Sequence, residues 1–350
     1  MINEHCFRSD WIREVARETK YDPTLIEKVI HAFELLGTLQ KNKLNFVFKG
    51  GTSLILILKE RFQRLSIDID IVLLNQVANE DLSKIFNRII KDSHFNKWEE
   101  RKSRDKLRYY KFYYKSDINN REEPILLDVM SVDTNPYAKL VETEITSIFF
   151  ETVETIKVKV PTVNSIFADK LTAFAPDTIG IPLQSGKSTE IIKQLFDLGS
   201  LFQFLDDLEE MGETYKRISI LEAEMRKIPH EITRFLKDSF DTAYLICQLD
   251  FRGSIRNEKT EELKNGIKSF KSFVGGGRYN LQKAKEDASK VAFISYILKS
   301  GFQLDLNGVI KSIYKTNINR LEALTKYNLL NKLKNISPLG FSLWNWIENH

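Results

Sequence analysis

Two neighbouring stretches decide the fold: residues 46–54 read FVFKGGTSL, and residues 64–70 read RLSIDID. In the first, alternating apolar residues predict a strand, the paired glycines end it, and a short helix is predicted over Thr52–Arg61. In the second, isoleucine alternates with aspartate, which predicts a strand over 67–71. The sequence therefore predicts a strand–turn–helix unit followed by an acidic strand.

The rest of the chain extends this to an α+β protein, a mixed sheet with helices plus a helical C-terminal lobe. Apolar residues at three- and four-residue steps predict helices over 8–40, with Asp22 as a cap and Pro23 at the first helical position. Three more strands are predicted: an aromatic, β-prone run at 108–114, an apolar run at 125–130 and an alternating pattern at 155–160. Beyond Pro161 only helices are predicted, at 165–174, at 190–204 and through most of 205–350.

This order of elements predicts three parts: N-terminal helices at 1–40, a mixed core at 41–204 and a helical lobe at 205–350. The last part is basic from 251, where 17 Lys and Arg stand against 8 Asp and Glu. Solvated helix faces would explain that excess, and so would a surface that approaches nucleic-acid phosphates. Gly275–Arg278 follows no predicted strand, so we expect a flexible hinge there and not a phosphate loop.

The composition argues against several classes of protein. No run of about 18 apolar residues is present, which predicts no membrane span and no membrane partner. The start MINEHCFRSD lacks a signal-peptide layout, so we expect a cytoplasmic protein. Cys6, Cys247 and five scattered histidines match no zinc spacing. Any metal is therefore expected to be a hard cation such as Mg²⁺, held by carboxylates.

The Gly-Gly turn predicts a phosphate site. Gly50 and Gly51 let the backbone approach a bulky anion, and the following helix points N–H groups at it. Thr52 and Ser53 add hydroxyl donors. A plain tight turn would also explain these four residues.

The acidic strand predicts a metal site. Asp68 and Asp70 are two apart, so their side chains share one face of a strand, and a divalent cation relieves their repulsion. An exposed strand face is the alternative. A phosphate cradle beside a carboxylate pair is what metal-assisted phosphoryl transfer from a nucleoside triphosphate requires, and the two motifs together predict that chemistry.

A third carboxylate is predicted on another strand. Asp128 is the single acid of ILLDVM, where a buried Asp without a partner would be costly, so we expect a metal ligand or the base for an incoming hydroxyl. Asp133 is the second choice for this role. A turn-forming Asp at a strand end would account for Asp133 equally well.

These motifs resemble the DNA polymerase beta-like nucleotidyltransferase superfamily, in which a Gly-Gly or Gly-Ser turn precedes a Dx[DE] strand. More narrowly, KGGTSL at 49–54 and RLSIDID at 64–70 resemble the AbiEii/AbiGii toxin family. The likeness continues through P-x-x-x-S-I-F-A-D-K-L-x-A at 161–173 and K-x-x-x-D-L at 193–198. These blocks keep the family's order from 49 to 198. They lie within the part at 41–204, which the resemblance makes the nucleotidyltransferase core.

The resemblance implies a role for each matching residue. Asp68 and Asp70 would bind Mg²⁺ or Mn²⁺, and the 50–53 turn would hold the nucleotide phosphates. Lys170 would bind the triphosphate, and Asp197 would be a catalytic or structural acid. It also implies transfer of a nucleotide from an NTP, with the tRNA 3′ end as the expected acceptor. The biological role it implies is the toxin of a toxin–antitoxin or phage-abortive-infection system, with an antitoxin as partner.

The lysines leave alternatives open. The family often has Lys, Thr or His where this chain has Phe174, so a second phosphate contact is expected from Lys187 or Lys193. Lys170 lies on an apolar helix face, where it needs a partner anion or must reach the solvent. Lys193 and Asp197 are four residues apart and would also form a simple helix pair.

The acceptor is the least defined part of the prediction. The strand KLRYYKFYYK at 106–115 would suit RNA stacking, but a sheet strand with Tyr on both faces explains it as well. A small molecule such as an aminoglycoside, or a protein side chain, remains an alternative acceptor. A catalytically silent binding protein is the alternative from another class.

Overall fold

The computed structural model describes residues 1–61, 64–104, 106–184, 186–274 and 279–350, with only the backbone at 60, 102–104 and 272. It divides into two compact units, one formed by Met1–Thr162 with Phe273 and Val274, the other by Val163–Ser272 with residues 279–350. The hinge predicted at Gly275–Arg278 lies outside the described residues. None of the helices that the structure describes has the length and hydropathy needed to span a bilayer.

The first unit contains a seven-stranded mixed sheet. Its strands are β1 (Phe46–Lys49), β2 (Ile69–Leu73), β3 (Phe95–Arg104), β4 (Leu107–Lys115), β5 (Glu122–Ser131), β6 (Leu140–Glu144) and β7 (Lys157–Pro161). They lie in the order β3-β4-β5-β2-β1-β7-β6. The pairs β2–β5 and β1–β7 are parallel, and the other neighbours are antiparallel. The α+β prediction is confirmed.

Helices cover one face of this sheet. They are the 3-10 turn Glu4–Phe7, α1 (Ser9–Thr19), α2 (Pro23–Lys41), α3 (Gly50–Leu58), the 3-10 turn Lys59–Arg61 and α4 (Asn79–Asp92). The Asp22 carboxylate accepts a hydrogen bond from the Thr24 amide at 2.8 Å, so the predicted cap and first proline of α2 are confirmed. Apolar side chains of α2 and α4 form one core with alternate residues of the strands, among them Ile69, Ile71, Leu127 and Val129.

The second unit is helical among its described residues. Its α-helices are α5 (Val163–Ala173), α6 (Ser188–Leu201), α7 (Leu208–Arg226), α8 (Ile232–Gln248), α9 (Glu258–Phe270), α10 (Leu281–Ser300), α11 (Leu306–Lys315), α12 (Leu333–Ile336) and α13 (Pro338–Asn349). Short 3-10 turns occupy Phe202–Phe204, Ile318–Arg320 and Asn328–Lys332, and a further one, Lys271–Phe273, begins in this unit and ends at a residue of the first. Trp344 is fully buried against Phe240, Tyr244 and Tyr327 and anchors the C-terminal helix.

The structural boundary between the units falls at Thr162, earlier than the predicted change at 204–205. Helices α5 and α6 pack against α7, α9 and α10, so their apolar faces complete the helical unit. The predicted parts 1–40, 41–204 and 205–350 rest on the order of sequence patterns, whereas the two structural units are defined by compact packing. The three predicted parts remain a prediction. Strands β3 and β6 lie where the sequence gives no strand signal, and β2 begins at Ile69, two residues later than predicted.

Candidate functional site: a carboxylate row beside a glycine turn

The Gly-Gly turn is built against the acidic strand. Gly50 has a φ of +78°, which side chains other than hydrogen rarely tolerate, and a Cβ on it would lie 2.0 Å from Asp70 Oδ2. A Cβ on Gly51 would lie 2.7 Å from both Arg64 Nη2 and Ser66 Oγ. Neither glycine can carry a side chain without displacing residues of the 64–70 segment. The two motifs are therefore one structural unit.

The hydroxyl groups of the turn are used internally. Thr52 Oγ1 donates to the Asp68 carbonyl at 2.6 Å, and Ser53 Oγ donates to the Gly50 carbonyl at 2.9 Å. Both side chains are fully buried. In this structure they hold the turn and fix Asp68 one residue before β2. Their predicted contact with nucleotide phosphates remains a prediction, and so does that of the α3 amides at Gly50 and Gly51.

Asp128 lies directly opposite Asp70. The parallel ladder of β2 and β5 pairs the two residues, so both side chains project from the same face of the sheet. Asp128 Oδ1 is buried and has no hydrogen-bond donor within reach among the described residues. Burial, and next the negative charge of Asp68, raises the pKa of Asp128 to about 6, while Arg101 acts in the opposite direction. The carboxylates of Asp68, Asp70 and Asp128 therefore lie in one small region of the sheet.

Asp133, the second choice for the third acid, lies elsewhere. It is exposed, two residues beyond the end of β5, and accepts a hydrogen bond from Gln76 Nε2 at 3.4 Å. It lines a polar cavity of about 370 Å³ together with Lys106 and Arg108. The strand register places Asp128, and not Asp133, opposite Asp70.

The donor set suits a hard cation. Among the described residues, no three His, Cys, Asp or Glu side chains stand close enough to hold a metal ion as they are placed. Mg²⁺, however, needs only one or two carboxylates, because waters and substrate phosphates complete its octahedron. The buried, unsatisfied Asp128 Oδ1 near the Asp68 charge is the kind of oxygen that such an ion would neutralise. Asp68, Asp70 and Asp128 therefore fit the predicted metal.

The lysine and acid of the helical unit form an ion pair of their own. Lys170 Nζ donates to Asp197 Oδ2 at 2.7 Å, with the lysine side chain 5% exposed and the aspartate 0%. This is the partner anion that the apolar face around Lys170 required. Lys193 Nζ pairs with Glu190 Oε1 at 2.8 Å. The predicted roles of Lys170, Asp197 and Lys193 toward a nucleotide remain predictions.

Sequence reasoning missed the neighbours of the carboxylates on the sheet. The registers place Lys49 opposite Asp70, and Tyr109 opposite Asp128. Tyr109 is in turn opposite Arg101 of β3. The two-residue period of KLRYYKFYYK would have assigned Tyr109 to one face, but only the pairing of β4 with β5 shows that this is the face of Asp128.

Comparison with known proteins identifies the family of this chain. The family model described as the nucleotidyl transferase AbiEii toxin of type IV toxin–antitoxin systems matches residues 35–272. The chain belongs to the AbiEii family of nucleotidyltransferase toxins. Membership makes it a nucleotidyltransferase, with an NTP as substrate and an antitoxin as partner. A comparison with curated proteins finds no match.

Solved structures that this chain matches include two proteins of Helicobacter pylori. JHP933 is 15% identical, with 82% of this chain and 94% of that chain covered and a TM-score of 0.44. A structure titled as a putative nucleotidyltransferase is 16% identical, with 79% and 94% covered and a TM-score of 0.42. MenT4, a nucleotidyltransferase toxin of Mycobacterium tuberculosis, is 13% identical, with 95% and 98% covered and a TM-score of 0.45.

Proposed function

We propose that this AbiEii-family protein transfers a nucleoside monophosphate from an NTP to the 3′ hydroxyl of tRNA, in a reaction that depends on Mg²⁺ or Mn²⁺. The observation that carries the proposal is the pairing of Asp70 with Asp128, beside Asp68 and against the Gly50 turn. Carboxylates on one sheet face next to a helix that begins at a glycine turn combine the two requirements of phosphoryl transfer.

The carboxylates and the glycine turn would have different roles in this reaction. Asp68 and Asp70 would hold the cation, with Asp128 completing the set. When bound, the metal neutralises charge on the triphosphate and stabilises the in-line displacement. The amides at the start of α3 would face the phosphates, as at other helix N-termini that bind anions. The lack of a side chain at Gly50 and Gly51 lets Asp70, Arg64 and Ser66 pack directly against this turn.

Asp128 also suits a proton acceptor. The acceptor oxygen attacks the α-phosphorus, the bond to the β-phosphate oxygen breaks, and pyrophosphate leaves. In this alternative to metal binding, the hydroxyl proton passes to Asp128 Oδ1, which no described donor occupies. Without a bound cation the Asp128 carboxyl has a pKa of about 6, so it is ionised at neutral pH and more basic than an ordinary aspartate.

The test is a transfer assay that offers several classes of acceptor and does not assume which one is used. The purified protein is incubated with each α-labelled NTP in turn, with Mg²⁺, and with total tRNA, total protein or a panel of aminoglycosides. We expect label on tRNA from one or a few NTPs, and none after chelation of the metal. Label on protein or on the small molecules, with none on RNA, would contradict the proposed acceptor. Undiminished transfer in the chelator would contradict the metal.

A further inference from the structure

A row of side chains crosses five strands of the sheet. The ladders place Lys49, Asp70, Asp128, Tyr109 and Arg101 opposite one another in turn, on β1, β2, β5, β4 and β3. Residues directly opposite in neighbouring strands project from the same face. The carboxylates are therefore flanked on the β4 side by an aromatic ring and then by a guanidinium group.

The same face continues along β4. Side chains alternate along a strand, so Lys111 and Tyr113 follow Tyr109 on the face of Asp128, at about 6.6 Å intervals. All three are half-buried, whereas the intervening Tyr110 and Phe112 are 2% and 0% exposed and belong to the core on the other face. The strand thus presents an aromatic–lysine–aromatic series that begins beside the carboxylates.

The far end of this series is held in place. Tyr113 Oη donates to Glu99 Oε2 at 2.8 Å, and Lys97 Nζ lies 4.5 Å from the centre of the Tyr113 ring. Lys97 also pairs with Glu122 at 2.9 Å. These contacts fix the ring and place a second ammonium group on the same surface. An ordered aromatic ring with a nearby cation suits stacking of a base next to its phosphate.

We propose that this surface of β4, formed by Tyr109, Lys111 and Tyr113, binds the unpaired 3′-terminal nucleotides of an RNA acceptor. Tyr109 is directly opposite Asp128, so it stacks with the terminal base whose hydroxyl reaches that carboxylate. Lys111 contacts the adjacent phosphate, and Tyr113 with Lys97 receives the preceding nucleotide. The inference rests on the proposed function, because it takes Asp128 as the end at which transfer occurs.

The first experiment measures binding without turnover, in the Asp70→Asn background. The probes are an RNA hairpin with a short unpaired 3′ tail and the same hairpin with a blunt end. We expect the tailed RNA to bind more tightly, and Tyr109→Leu to weaken it about tenfold, as loss of one stacked base does. Tyr109→Phe retains the affinity. Lys111→Ala lowers the salt dependence by about one unit of slope. Lys91→Ala, an exposed lysine on α4, leaves the preference for the tail unchanged.

The second experiment separates the two proposals. Transfer to tRNA is measured in the active protein with Tyr109→Leu, Lys111→Ala and Asp70→Asn, with thermal unfolding confirming that each variant folds. If Tyr109→Leu and Lys111→Ala bind the tail and transfer as the parent does, while Asp70→Asn stops transfer, the RNA surface is refuted and the proposed function stands. If Asp70→Asn transfers normally, the proposed function fails, and the binding result decides the surface by itself. Equal affinity for tailed and blunt RNA in the parent also refutes the surface.

Discussion

Asp70 and Asp128 face each other across the parallel ladder of β2 and β5, although 57 residues and the β3–β4 hairpin separate them along the chain. Asp68, immediately before β2, adds its charge to the same region and helps to raise the pKa of Asp128 to about 6. The folded protein therefore concentrates negative charge at one place. Such an arrangement costs stability and is typical of a functional site.

Asp128→Asn is expected to separate stability from activity. The change removes a half-buried carboxylate close to the negative charge of Asp68, so we expect the metal-free protein to gain about 1–2 kcal/mol in unfolding free energy at neutral pH. Transfer should fall at least about 100-fold. Thermal unfolding with and without Mg²⁺, beside the transfer rate, measures both effects.

The matched control is Asp133→Asn, which alters an exposed acid outside the carboxylate row formed by Asp68, Asp70 and Asp128. We expect its stability to change by less than about 0.5 kcal/mol and its activity to be retained. Asp128→Asn retaining full activity, with Asp133→Asn losing it, would reverse the assignment of the third carboxylate.

Gly50→Ala tests the close approach between the turn and Asp70. A φ of +78° is energetically unfavourable for alanine, and the alanine Cβ would also collide with the Asp70 carboxylate. Gly186 provides the control, because its φ is +71° and nothing lies within 4 Å of an added Cβ. We expect Gly186→Ala to cost about 1 kcal/mol with activity retained, and Gly50→Ala to cost clearly more and to abolish transfer. Equal losses in denaturant titrations would show that the contact with Asp70 is unimportant.

Lys170→Met tests whether the buried ion pair is structural. The change removes the ion-pair partner of the fully buried Asp197 carboxylate, so we expect a loss of about 3–5 kcal/mol. The double variant Lys170→Met with Asp197→Leu should recover most of that loss. Arg217→Ala, which breaks the exposed pair with Glu213, should cost less than about 1 kcal/mol.

Activity of the double variant then bears on the nucleotide role of Lys170. If the folded double variant transfers nucleotides at the parent rate, the lysine is a structural residue only. Loss of transfer with an increased KM for the NTP, in a protein of near-parent stability, agrees with the triphosphate contact that the resemblance implies.

Asp238 gives a pH-dependent prediction in the helical unit. It is 6% exposed and accepts hydrogen bonds from the Asp177 amide at 2.8 Å and Thr178 Oγ1 at 2.7 Å. Burial dominates these bonds and raises the pKa of Asp238 from 3.8 to about 6. Since the folded state holds this proton more tightly than the unfolded state, its contribution to stability is present below about pH 4 and is lost as the pH rises through about 6.

Comparison with Asp238→Asn isolates that group, because other titrations are shared by the two proteins. We expect the unfolding free energy of the parent, relative to the variant, to fall by about 3 kcal/mol between about pH 4 and pH 7. Denaturant unfolding at both pH values measures it. A difference that is constant with pH would contradict the raised pKa.

The sequence predicts the local parts of this site and misses their long-range pairing. The alternation of isoleucine and aspartate in SIDID and the paired glycines are local signals, and both strand and turn formed near the predicted positions. That Asp128 faces Asp70, and Asp133 does not, depends on the register of two strands distant in the sequence. The period of a single strand does not contain that register.

The edge strands and the ion pair illustrate the same limit. Strand β3, FNKWEERKSR, is mostly charged and gains its hydrogen bonds from β4, so its own sequence lacks a strand pattern. The sequence predicts that Lys170 needs an anion, but it does not predict which one. The partner is Asp197 on α6, and only the packing of α5 against α6 brings the two residues together. Tertiary contacts decide these features, and propensity does not.

The most direct measurement compares Asp70→Asn with Asp92→Asn in the transfer assay with tRNA, the preferred NTP and Mg²⁺. Asp92 is an exposed acid at the end of α4, so its variant has the same change of charge outside the carboxylate row. We predict that Asp70→Asn loses at least about 100-fold in transfer rate while remaining folded, and that Asp92→Asn is as active as the parent. Parent-level transfer by a folded Asp70→Asn protein would contradict the carboxylate row as the catalytic centre.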